Sequence, residues 1–110
     1  MEKINVKSIE DFLNVIDQHT TFLLFKNSLT CPISSSAFEE FSSFAESQNE
    51  VHVYYLNVQK SRELSNYIAN NYHVKHESPQ VLLFKGKEVI WHTSHWNIKK
   101  EILKQQVLSL

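Results

Sequence analysis

Thr21-Phe22-Leu23-Leu24-Phe25-Lys26-Asn27-Ser28-Leu29-Thr30-Cys31-Pro32-Ile33-Ser34 is the stretch that decides how this chain folds. It opens with an apolar, strand-like run, Thr21 to Phe25. Past Pro32 the pattern changes: Ile33, Ala37, Phe38, Phe41, Phe44 and Ala45 recur at intervals of three and four, which predicts a helix to about Glu46. Cys31, the only cysteine, therefore falls at a strand-to-helix junction. Pro32 suits the first helical turn, where a missing N–H costs nothing and the fixed φ fits the helix. A thiol placed there faces unpaired backbone N–H groups and the positive end of the helix dipole. Such a setting favours the thiolate, which is the nucleophilic form. The opposing expectation is that a lone cysteine is a small buried hydrophobe.

Working outward, Ile4 and Val6 suggest a short first strand. Ser8 precedes Ile9, Phe12, Leu13 and Ile16, a helical spacing with Ser8 as N-cap and Asp11 completing a capping-box-like pattern. Val51 to Val58 is β-branched and aromatic and reads as a buried strand. Ser61 is placed to cap a helix whose inner face is Leu64, Tyr67, Ile68 and Tyr72. Val81-Leu82-Leu83-Phe84 and Glu88-Val89-Ile90-Trp91 flank Lys85-Gly86-Lys87 and predict a hairpin. Asn97 is the expected cap of a last helix carrying Ile98, Ile102, Leu103 and Val107. The order β-α-β-α-β-α-β-β-α implies an α/β fold, a mixed sheet with helices on both faces. The junction at Cys31 would lie at the carboxyl end of a central strand, where sites in open α/β sheets gather.

Residues 1–110 fit one domain. With 11 basic and 12 acidic residues the net charge is −1, which gives no support to a nucleic-acid partner. No apolar run approaches the ~18 residues of a membrane span, and Met1-Glu2-Lys3-Ile4-Asn5 lacks the apolar core of a signal peptide. One cysteine cannot form an internal disulfide. The expectation is a cytoplasmic protein in a reducing compartment, whose Cys31 pairs only with another molecule. His73-x-x-His76 and His92-x-x-His95 have no second thiol nearby, so no metal site is assigned to them.

With its elements in this order, the chain resembles the thioredoxin fold over nearly its whole length. Ser78-Pro79-Gln80-Val81-Leu82-Leu83-Phe84-Lys85-Gly86-Lys87-Glu88-Val89 is similar to the proline loop and hairpin of thioredoxins. The resemblance implies a cis Pro79 facing the active cysteine, with the backbone at Ser78 free to pair with an extended thiol substrate. The second cysteine of thioredoxins is replaced by Ser34, giving Cys-x-x-Ser. Thr30-Cys31-Pro32-Ile33-Ser34, taken with Ser94-His95-Trp96, resembles a narrower group, the monothiol bacilliredoxins of the YtxJ type. That resemblance implies an oxidoreductase that removes bacillithiol, a cysteine–glucosamine–malate thiol, from S-bacillithiolated client proteins. Bacillithiol would be a co-substrate, with no cofactor tightly bound.

One thiolate suffices for such exchange. Cys31 attacks the outer sulfur of the mixed disulfide, releases the protein thiol and carries the small thiol until a second small thiol attacks. Ser34 cannot resolve the intermediate, but is expected to offer a hydrogen bond to the thiolate. Lys26 is expected either to steady the thiolate or hold a carboxylate of the small thiol, as a lysine does in glutaredoxins, or to be a solvated surface lysine. Trp96 either walls a substrate groove or packs in the core; His95 either touches thiolate or substrate or serves the fold. Two other functions stay open. One is a non-catalytic binding module with a peptide in the Pro79 groove. The other is an iron–sulfur carrier like the monothiol glutaredoxins, although those have glycine and phenylalanine where this chain has Pro32 and Ile33.

Overall fold

The computed structural model describes residues 1–110. Its elements are β1 (Lys3–Asn5), α1 (Ile9–Gln18), β2 (Thr21–Asn27), α2 (Pro32–Glu46), β3 (His52–Asn57), α3 (Arg62–Tyr72), β4 (Gln80–Lys85), β5 (Glu88–Ser94) and α4 (Lys100–Leu108). A short 3-10 turn, His95–Asn97, joins β5 to α4. The five strands form one sheet in the order β1-β3-β2-β4-β5. β1 and β2 run parallel to β3, whereas β4 is antiparallel to both β2 and β5. This is the mixed α/β architecture that the sequence implies.

β2 is the middle strand, and its alternation serves both faces. Phe22 and Leu24 point into a core closed by α1 and α3, with Phe12, Ile16, Leu64 and Ile68. Leu23 and Phe25 point into a second core closed by α2 and α4, with Ala37, Phe41, Phe44 and Leu103. A strand buried on both faces reads as a continuous apolar run, as Phe22 to Phe25 does. Burying each such side chain contributes about 1.5–3 kcal/mol. Phe22 stacks on Phe84 of the neighbouring strand, centroids 4.6 Å apart, and Phe12 meets Phe84 edge-on at 5.5 Å.

The helix ends show which local signals governed. Ser8 caps α1 as expected: its Oγ accepts from the Asp11 N–H at 3.1 Å. Asp11 reaches back to the Lys7 N–H rather than to Ser8 itself. Ser61 occupies the N-cap of α3, but its side chain makes no capping bond. Asn97 is not the cap of the last helix. It lies in the 3-10 turn, Lys99 is the N-cap, and a carboxylate from another helix does the capping: Glu40 Oε1 accepts from the Lys100 N–H at 2.8 Å. The first strand is Lys3–Asn5; Val6 lies just past it, buried, with its N–H bonded to Tyr55 O. At the far end of α2, the Met1 ammonium donates to Ala45 O and Gln48 O, each at 2.7 Å.

Candidate active site

β2 ends at Asn27, and the next four residues carry the chain to Cys31, the N-cap of α2. Cys31 has extended backbone (φ −100°, ψ 123°), and Pro32 opens the helix. The thiol is free and half-buried. Pro32 is exposed and Ile33 half-buried, while Thr30 and Leu29 lie open to solvent.

A polar network beneath this loop fixes its shape. Ser34 has no exposed surface. Its Oγ accepts from the Ser28 N–H at 2.8 Å and donates to Asn27 Oδ1 at 2.9 Å. Asn27 Nδ2 in turn donates to Asn57 Oδ1 on β3 at 2.9 Å. From the loop after β3, Gln59 Oε1 accepts from the Leu29 N–H, and its Nε2 donates to Ser28 Oγ and Thr30 Oγ1. The expectation that Ser34 bonds the thiolate is therefore corrected. Its single proton is committed to Asn27, and the hydroxyl serves the loop.

The sheet register brings the rest of the site to the same edge. Gln80 pairs with Lys26 on one side and with Ser94 on the other. Pro79 and His95 therefore sit level with the end of β2. The Ser78–Pro79 peptide bond is cis, as the thioredoxin resemblance implies. Pro79 is buried and Ser78 half-buried. The His95 N–H donates to Pro79 O at 3.0 Å, tying the turn after β5 to the proline loop. That turn packs against α2. Trp96 is 63% exposed, which removes the core role and leaves its ring on the surface beside the site.

Lys26 fits neither of its expected settings. It is fully buried, on the α1/α3 side of the sheet below Leu24. Its Nζ donates to Ser65 O at 3.0 Å and meets His76 Nδ1 at 3.4 Å. An ammonium can only donate, so His76 Nδ1 is the acceptor and the ring proton sits on Nε2. Burial pushes Lys26 down to about 8. The His76 ring is held below the ordinary histidine value, first by burial and then by the charges of Lys26 and Arg62. A lysine with no exposed surface offers no contact to a small thiol, so its assignment to substrate binding is withdrawn.

Comparison with known proteins bears on what this geometry serves. Residues 4–103 match the family model described as "Monothiol bacilliredoxin BrxC". The chain belongs to the monothiol bacilliredoxin family. A solved structure presented as a candidate oxidoreductase with a thioredoxin fold is 40% identical to this chain; the match covers 94% of this chain and 91% of that one, with a TM-score of 0.87. Thioredoxins are more distant in sequence. A Halobacterium salinarum thioredoxin variant (17% identity, TM-score 0.81, 98% and 89% coverage) shares the fold. So does an Entamoeba histolytica thioredoxin variant (18%, 0.77, 99% and 100%). The chain is thus a thioredoxin-fold redox protein of the thiol-disulfide oxidoreductase type. No helix is long and apolar enough to cross a membrane.

Gln59, Asn57 and Glu77 escaped the sequence reading. They are polar loop or strand-end residues whose partners lie 17 to 31 positions away. No periodicity marks such pairs.

Proposed function

We propose that the protein removes bacillithiol from S-bacillithiolated proteins in the cytoplasm. Cys31 attacks the bacillithiol sulfur, the client thiol departs, and free bacillithiol resolves the Cys31–bacillithiol disulfide. The observation that carries the proposal is the pairing of a free, half-buried Cys31 with a buried, fully bonded Ser34 three residues on. A nucleophile is present, and no internal thiol stands where thioredoxins keep the resolving one. Membership in the monothiol bacilliredoxin family supports bacillithiol as the small thiol. The cis-Pro79 loop, Trp96 and Leu29 at 52% exposure supply a rim for the client segment.

The test is release of bacillithiol from a defined modified protein, followed by intact-mass analysis. Wild type should carry the small thiol on Cys31 when free bacillithiol is withheld, and turn over when it is supplied. Cys31→Ala should do neither. Turnover by Cys31→Ala at the wild-type rate, or a wild-type chain never found loaded, would end the proposal.

A further inference from the structure

The exchange moves a proton as well as sulfur. A basic client thiolate gains one as it departs, and the incoming small thiol loses one as it attacks. One pair of side chains at the site is arranged for that traffic. Glu77 precedes the Ser78–Pro79 bond, and His95 follows β5 across the hairpin. Glu77 Oε2 lies 3.5 Å from His95 Nδ1 and also accepts from Ser94 Oγ at 3.2 Å. His95 holds φ at +54°, in the left-handed region that non-glycine residues enter at a cost. Its N–H is pinned to Pro79 O. Both side chains remain accessible, 45% for His95 and 36% for Glu77. With Nδ1 turned to the carboxylate, Nε2 on the far side of the ring is left for an outside partner. Ser94 pairs with Gln80, and Gln80 with Lys26, so the turn at His95 stands at the end of β2 from which the chain runs on to Cys31, and it packs against α2.

We infer that His95 is the proton carrier of the exchange reaction and that Glu77 is its positioning residue. The inference rests on the proposed function above. In the first half-reaction the Cys31 thiolate bonds to the small thiol's sulfur as the S–S bond breaks. The expelled client thiolate takes the proton from His95 Nε2. In the second, neutral His95 takes the proton of the incoming small thiol. The thiolate so formed attacks the sulfur carried on Cys31, and Cys31 leaves as thiolate. The proton taken from the small thiol replaces the one given to the client, so the enzyme returns to its starting form. Glu77 holds the ring with Nδ1–H toward its carboxylate.

A leaving-group comparison tests this. A good leaving thiolate departs without help, whereas a basic one needs the proton. Loading of Cys31 is timed by stopped flow with two mixed disulfides of bacillithiol, one expelling an aryl thiol and one an alkyl thiol. For His95→Gln the alkyl substrate should slow by at least about tenfold and the aryl substrate by less than about twofold. Glu77→Gln keeps an oxygen for Ser94 and loses only the charge; it should slow the alkyl substrate by about threefold or more, again sparing the aryl one. Because Glu77→Gln preserves the loop bond, a fault in folding cannot stand in for this signature. Equal slowing of both substrates, or slowing of neither, overturns the inference while leaving the exchange reaction intact. A wild-type chain loaded by neither disulfide overturns the exchange reaction, and the proton carrier with it.

Discussion

Ser34 stands where a resolving thiol would be, yet the structure uses it as a fastener. Removing its hydroxyl leaves the buried Ser28 N–H and the half-buried Asn27 Oδ1 each short of a partner. Ser34→Ala should therefore cost about 1–3 kcal/mol of stability, read as a fall in Tm of about 4–8 °C per kcal/mol. Turnover per folded molecule at 25 °C should stay within about threefold, because no bond to the sulfur is lost. An unchanged Tm with activity down tenfold would mean that the hydroxyl acts on Cys31 after all. Residue by residue, the sequence was readable where a local rule applied. Pro32 marked the start of α2, and Ser8 marked its helix by a bond three residues long. Lys26 was not readable, because nothing local predicts that a lysine closing a run of buried apolar residues will be drawn in with them.

Among the elements, α4 depends on a cap it does not own. Asn97 looked like the N-cap because capping is usually local, but Glu40 on α2 supplies the acceptor across 60 positions. A carboxylate there also meets the positive end of the helix dipole. Glu40→Ala should cost about 1 kcal/mol. The loss should appear in hydrogen–deuterium exchange as faster exchange in the first turn of α4, Lys100 to Leu103, with α1 and α3 unaffected. If protection falls evenly over the whole chain, the contact matters to global stability rather than to this helix start. Element type and order followed from hydrophobic period and were legible throughout. The polar clamp of Gln59 on Leu29 and Thr30 was not, since it joins two loops that only the parallel β2–β3 pairing brings together.

At the scale of the whole molecule, the buried ammonium of Lys26 makes stability depend on alkaline pH. Its pKa is about 8 in the folded chain, against roughly 10.4 when unfolded. Below pH 8 it is charged in both states and its contribution is constant. Between about 8 and 10.4 the unfolded chain holds the extra proton, so unfolding becomes less favourable as pH rises. The gain should be on the order of 3 kcal/mol at full extent. Denaturant titrations of wild type and Lys26→Met, compared point by point from pH 7.5 to 10.5, should show this rise in wild type and its loss in the variant. Parallel curves would place the ammonium in contact with water. The same whole-molecule view gives the solitary sulfhydryl a further meaning. With Cys31 the only thiol, free-thiol titration counts working molecules one for one. Air oxidation without a small thiol has a single disulfide-linked product, a dimer joined Cys31 to Cys31, in which each copy has silenced the other. The dimer mass in an aged preparation and its lost activity are then the same quantity measured twice.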